Sequence, residues 1–336
     1  MDFPYLHLRF DLAARTPIKL GGYQAGERLR DALAGVMLQA VCPENPRRQK
    51  PTPEHAALCP VCWLLAADTD PRAVRRAYAV VPPLPPPDLL QAGERFSFVI
   101  TLFGEGLRYL PYFVLAVPEM GRQGVGPGRG KFNLQAVWAL QPLLDWAFPL
   151  LQPGEHVVRV PDDFPTADIF ALAAGLPPVS ELQVHFLTPT RLVDEKRLVR
   201  APDFAVFFRR MLSRIDDLAR LHNQAGRRPP EDVERLHRLA DGVRLVDVDT
   251  TWVDLFAPSG RTGRRTPMGG FVGRAVYRLP DGGELLPWLL LGQAAQAGKL
   301  AAKGSGVFEL DLPGRPGYWQ RCFSPLQTEP EALETE

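Results

Sequence analysis

Apolar and polar residues alternate through Leu6-His7-Leu8-Arg9-Phe10-Asp11-Leu12, the period of a half-buried strand. After the pair Gly21-Gly22, the apolar residues Leu29, Leu33, Val36, Met37 and Ala40 recur at helical spacing, with Arg28, Arg30 and Asp31 outside them. That pattern predicts an amphipathic helix over Ala25–Val41. Pro43–Pro53 and Pro82–Pro87 are proline-rich connectors. Phe96–Phe103 reads as a buried strand, Leu107–Met120 as a helix with Pro111 near its start, and Phe132–Leu140 as a strand. The second half repeats the plan: strand Leu182–Leu187, helix Phe204–His222, strand-like Val243–Leu255, strand Phe271–Leu279, helix Leu285–Leu291 and strand Val307–Leu312. A strand–helix–strand–helix–strand order is what an antiparallel sheet covered on one face by helices produces. Two such units in tandem predict an α+β chain of two ferredoxin-like domains. The expected division is 1–155, with a cysteine-containing insertion at about 42–90, then 156–327 and an acidic tail at 328–336, the junction lying near Pro153–Pro165.

The chain has 336 residues, 46% of them apolar, enough for two cores. No run of uncharged apolar residues reaches the length of a membrane span, and Leu107–Val117 is broken by Arg108 and Pro111. Met1-Asp2-Phe3-Pro4 lacks the basic start and apolar run of a signal peptide. Only four cysteines are present, which argues against a disulfide scaffold. A cytoplasmic protein without membrane partners is the expectation. The net charge of +1 predicts nothing about partners, and most basic residues are arginine, so only local clustering carries information.

Three segments cluster glycine with base. Gly124-Val-Gly126-Pro-Gly128-Arg129-Gly130-Lys131 is the first. Ser259–Arg274 is the second, with Arg261, Arg264, Arg265, Gly269, Gly270 and Arg274, and Gly298–Gly306 is the third, with Lys299 and Lys303. Glycine lets backbone N–H groups approach a phosphate while Arg or Lys supplies charge. Val125 and Phe132 stand where a Walker loop needs Gly and Ser or Thr, and a strand rather than a helix follows, so neither the ATP nor the dinucleotide motif is met. Arg274 and Arg278 continue the second segment along a strand and suit a nucleic-acid backbone. Solvated hairpins with incidental arginine are the competing reading.

These segments, in order, resemble the CRISPR-associated endoribonucleases that process precursor guide RNA, the Cas-six family of the RAMP superfamily. The resemblance runs through the early helix into Cys42, Cys59-Pro-Val-Cys62, Leu110-Pro111-Tyr112, Gly124–Phe132, Met268-Gly269-Gly270-Phe271-Val272-Gly273 and the closing Gly298-Lys299 and Gly304-x-Gly306. It implies tandem RRM/RAMP-like domains that grip a CRISPR repeat RNA or guide RNA, alone or with other effector subunits. It also implies cleavage that needs no cofactor, by attack of the RNA 2′-OH on the adjacent phosphate. The histidine positions of relatives match Gly35 and Gln296 here, neither of which takes a proton. Of the six histidines, His7 and His185 sit in predicted strands and His222 and His237 on predicted helix surfaces. Lys299 and Lys303 as charge stabilisers and Tyr23 as hydroxyl donor are the remaining catalytic candidates. A catalytically inactive subunit that retains guide RNA is the alternative.

Cys42, Cys59 and Cys62 form C-x16-C-x2-C, and His55 lies four residues before Cys59. A structural zinc with these four ligands is one reading, three reduced thiols the other. Such a zinc would fix the insertion between strands and take no part in catalysis.

Overall fold

The computed structural model describes residues 3–42, 44, 52–65, 76–258, 265–280 and 283–326. The first half forms a five-stranded antiparallel sheet of β1 (Tyr5–Ala14), β2 (Tyr78–Val81), β3 (Arg95–Phe103), β4 (Phe132–Gln141) and β5 (Trp146–Leu151), in the order β2-β3-β1-β4-β5. Helix α1 (Ala25–Val41) connects β1 towards the short helices α2 (Pro53–Leu58) and α3 (Pro60–Leu65), and α4 (Leu110–Gln123) connects β3 to β4. The second half opens on α5 (Ile169–Ala174) and builds a four-stranded sheet of β6 (Glu181–Thr190), β7 (Arg244–Val253), β8 (Gly270–Arg278) and β9 (Phe308–Asp311), ordered β7-β8-β6-β9. Its helices are α6 (Phe204–His222), α7 (Pro230–Asp241), α8 (Leu286–Ala295) and α9 (Tyr318–Phe323). In each sheet the first strand lies between the third and the last of the βαββαβ unit, which is the ferredoxin-like order. The expected α+β fold of two tandem ferredoxin-like sheets is thus present, and residues 152–168 between them form neither strand nor helix.

Local chemistry explains the long elements. In α6, Asp203 accepts from the Val206 N–H as an N-cap, and Phe204, Phe207, Phe208, Met211, Leu212, Ile215 and Leu218 supply one buried face. In α1, Leu29, Leu33, Val36 and Met37 pack with Phe10, Phe98 and Phe113 in a core between the first sheet and its helices.

The other face of that sheet is also buried. Phe3, Tyr5, Val99, Phe103, Trp138 and Leu140 join one core with the second half. β1 is therefore not half-buried: His7 and Arg9, on the polar side of the alternation, are buried too. The physical reason is the return of the chain. His7 meets the Tyr318 hydroxyl at 2.6 Å, and Arg9 donates to the carbonyls of Cys322 and Ser324.

Other expectations shift locally. Gly104–Tyr109 is a 3-10 turn, so α4 begins later and ends later than expected. Within the second glycine segment, Arg265–Pro267 pairs with Phe256–Pro258 as a small hairpin, while residues 259–264 lie outside the described residues, as does the acidic tail. Helix α7, strand β5 and the hairpin Leu192–Asp194 with Arg197–Val199 were not anticipated. Among the described residues no helix is long and apolar enough to cross a membrane.

Candidate nucleic-acid interface

The first glycine segment closes on itself through a Val125–Gly130 bridge and sits on the chain preceding α1. A Cβ at Gly126 would lie 2.4 Å from the Lys19 carbonyl oxygen, and one at Gly130 would lie 2.5 Å from that of Pro17. These glycines let the loop seat on its own scaffold. Gly124 and Gly128 hold φ of 92° and 85°, backbone that disfavours other residues. Arg129 and Lys131 are exposed and have no carboxylate partner among the described residues. Arg28 donates to the Lys19 carbonyl and to Gln24 Oε1, bracing the same corner.

The third segment reaches this corner from the second half. A Cβ at Gly26 would stand 2.4 Å from the Lys303 carbonyl oxygen, so the loop backbone lies directly on the first turn of α1. Lys303 Nζ pairs with Glu27 Oε1 at 2.8 Å. Lys299 is exposed and has no carboxylate partner among the described residues; its N–H donates to the Arg191 carbonyl.

Arg191, which sequence reasoning missed, ties the second and third segments together. Its Nη1 donates to the Gly269 carbonyl at 2.9 Å, and a Cβ at Gly270 would strike the Thr190 backbone at 2.6 Å. Burial, and then the charge of Arg200, pushes the Arg191 guanidinium below its usual value. A basic residue just past the end of β6 was the only signal in the sequence, and it looks like any strand-end arginine. Arg191, Lys196, Arg210, Gly298 and Lys299 line a cleft of about 550 Å³. Arg210 is already paired with Asp194 there.

Other candidates are less free than their sequence suggests. Arg274 pairs with Asp247 at 2.8 Å and Arg278 with Glu181 at 2.8 Å, so the expected row of guanidinium groups is largely neutralised by its own sheet. Arg261 and Arg264 lie outside the described residues, and Arg265 falls in the small hairpin. Tyr23 lines a different cleft, about 860 Å³, with His185, Arg274, Glu309 and Trp319. The structure does not bring it into the cleft of Lys299.

Gly35 and Gln296 are both buried; Gln296 donates across the domain junction to the Val80 carbonyl. His7 is fully buried, and burial lowers its pKa to about 3. His222, expected on a helix surface, is instead buried, because its ring meets Trp63 of the first half edge-on at 5.6 Å. His237 is half-buried on α7, and His185 is held by Gln183 at 2.8 Å.

The cysteine cluster is assembled. Cys42 stands at the C-cap of α1, His55 in α2, and Cys59 and Cys62 before and within α3; their ligand atoms all lie within 4.8 Å of one another. Cys42 Sγ is 3.4 Å from His55 Nε2 and 3.5 Å from Cys62 Sγ. A tetrahedron with Zn–S bonds of about 2.3 Å has edges near 3.8 Å, so the spacing fits. Glu44 Oε1, 2.9 Å from His55 Nδ1, turns Nε2 toward the sulfurs. Burial, and then the adjacent Cys42 and Cys59, pushes the Cys62 thiol up, so metal loading here releases protons. These four side chains can hold a metal ion.

Residues 184–308 match the family model described as CRISPR-associated endoribonuclease Cas6, and residues 3–163 match a model described as an N-terminal domain. A search of curated proteins by sequence returned no match. Among solved structures, the fold is similar to Thermus thermophilus Cas6 (16% identity, TM-score 0.53, covering 92% of this chain and 98% of that one). A product complex of the same Cas6 gives 16% identity and a TM-score of 0.55, covering 91% and 99%. A partial Cas6-RT-Cas1–Cas2 complex gives 13% identity and a TM-score of 0.59; the match covers 97% of this chain and 48% of that one.

Proposed function

We propose that the chain is a member of the CRISPR-associated endoribonuclease Cas6 family, whose model matches residues 184–308, and that it binds a CRISPR repeat RNA and processes precursor guide RNA. The observation that carries this reading is the convergence of its basic glycine segments. Arg191 joins Gly269 to Lys299, and the same third segment lies against the start of α1, beside the first. In this reading Arg129, Lys131 and Lys299, which have no carboxylate partner among the described residues, supply charge to a phosphate backbone. The domain division at 155, and action inside the cell, belong to the same proposal.

Cleavage follows the chemistry of the RNA itself. The 2′-oxygen attacks the adjacent phosphorus, the P–O5′ bond breaks, and a cyclic phosphate and a 5′-hydroxyl result. One proton leaves the 2′-OH and one arrives at the departing oxygen. In this reading Lys299 stabilises the developing charge, and Lys303 would join it only by leaving its pair with Glu27. Tyr23 offers a hydroxyl only if the RNA runs from one cleft to the other.

A second reading, an RNA-retaining subunit without activity, is favoured by the burial of Gly35 and Gln296 and by the Lys303–Glu27 pair. One experiment separates them. Purified protein is mixed with labelled repeat RNA without added divalent ions, and EDTA is added once the complex has formed. A discrete product ending in a cyclic phosphate supports processing; tight binding without products supports retention. Binding no tighter than to an unrelated hairpin would overturn both.

We propose zinc as the metal of Cys42, His55, Cys59 and Cys62, because three thiolates and one imidazole suit it better than oxygen-seeking cations.

A further inference from the structure

The metal cluster lies in the first half of the chain, but the residue following its last ligand reaches into the second. Trp63 comes directly after Cys62 in α3 and is packed among three groups. Its ring is 5.0 Å from that of Tyr109, the Arg108 guanidinium lies over it at 5.3 Å, and His222 meets it edge-on at 5.6 Å. Tyr109 and Arg108 belong to the turn before α4. His222 is the last residue of α6, in the second half.

The contact is not isolated. At Gly104, just ahead of that turn, a Cβ would lie 1.7 Å from Asn223 Oδ1 and 2.2 Å from the His222 carbonyl oxygen. Backbone from the first half therefore abuts the end of α6 with no room for a side chain. Helices of six residues, such as α2 and α3, have little stability of their own. A bond from each to a shared ion would supply what their length does not.

We propose that zinc at Cys42, His55, Cys59 and Cys62 is an interdomain clamp: it fixes α3 so that Trp63 grips the C-terminal end of α6 and sets how the second half sits on the first. This rests on the zinc reading above and adds its purpose. The clamp also bears on the RNA site through α1. That helix has 17 residues, about 25 Å at 1.5 Å per residue. It carries Cys42 at one end and, at the other, Gly26 and Glu27 against the third glycine segment. A loosened cluster frees both the α6 contact and the far end of the helix that seats the loop.

The test uses the full chain in three forms: as purified, after chelation of the folded protein, and as Trp63→Ala, which keeps every ligand. Zinc content is measured by elemental mass spectrometry and amide exchange by mass spectrometry. The chain as purified and Trp63→Ala should each hold one zinc. Amides of Ala219–Asn223 should exchange at least about tenfold faster in both the chelated and Trp63→Ala proteins, while Phe204–Phe208, at the opposite end of α6, remains protected. Adding zinc back should restore protection to the chelated wild type and not to Trp63→Ala; Trp63→Phe should retain most of it. Absence of zinc from the purified chain, with none taken up on titration, would remove the premise and the clamp together. Zinc bound at one per chain, with exchange at Ala219–Asn223 unchanged by chelation, would sink the clamp alone.

Discussion

His7 shows how much one buried side chain can report. Its Nδ1 lies 2.8 Å from Thr101 Oγ1 and its Nε2 2.6 Å from the Tyr318 hydroxyl, and burial lowers its pKa from 6.5 to about 3. Between those values the unfolded chain binds a proton that the folded chain refuses, so stability falls as pH drops below 6.5. The slope from this residue is about 1.4 kcal/mol per pH unit. At pH 5 its contribution amounts to a loss of about 2 kcal/mol relative to pH 7 or above. Urea unfolding at pH 7.5 and pH 5 should show that loss in the wild type and lack it in His7→Gln; equal losses in both would place the pH dependence elsewhere. Gly26 makes a steric case at the same scale. Alanine there gains about 1 kcal/mol of helix propensity, yet its Cβ would stand 2.4 Å from the Lys303 carbonyl oxygen and 2.8 Å from Gly304 Cα. Both neighbours are backbone, so overpacking of about 1–3 kcal/mol wins. Gly26→Ala should lower the melting temperature and weaken repeat-RNA binding. Gly175→Ala, whose Cβ would find only ordinary contacts at 3.6 Å, should do neither.

Elements with a strong local pattern were legible. The bounds of α1 and α6 follow from apolar periodicity, with Asp203 marking the start of the second. Strand β1 was located but its burial was misjudged. Its polar positions are covered by residues more than 300 positions later, and alternation in a strand carries no sign of that. The interface divides the same way. Glycine with base marked the three segments, but the linking residue Arg191 has no local signature, and the pairing of Arg274 with Asp247 depends on a strand register. The second glycine segment carries its prediction at the same scale, although Arg264 lies outside the described residues. Arg264→Ala with Arg265→Ala should weaken repeat-RNA binding at least about tenfold, or roughly 1.4 kcal/mol. The slope of log affinity against log salt should also fall by about 1.4 to 1.8 for two lost phosphate contacts. A lower affinity with an unchanged slope would mean that these arginines act through shape rather than charge.

For the whole molecule, the decisive feature is that both faces of the first sheet carry a buried core. Phe3, Tyr5, Val99, Phe103, Trp138 and Leu140 share a core with Phe186, Phe207 and Phe308 of the second half. Polar ties cross the same junction: Arg9 to the carbonyls of Cys322 and Ser324, Gln296 to the Val80 carbonyl, and Lys303 to Glu27. Two ferredoxin-like units in sequence therefore need not be two independent folds. Residues 1–155 expressed alone would expose a large apolar surface, which should appear as aggregation or strong binding of a hydrophobic dye. By contrast, one cut by a protease between residues 153 and 165 removes no part of that core, because the segment holds neither strand nor helix. The nicked chain should run as a single species on size exclusion and keep its affinity for repeat RNA. Two halves that separate after the cut, each remaining monomeric and folded, would mean that the shared core contributes little to holding them together.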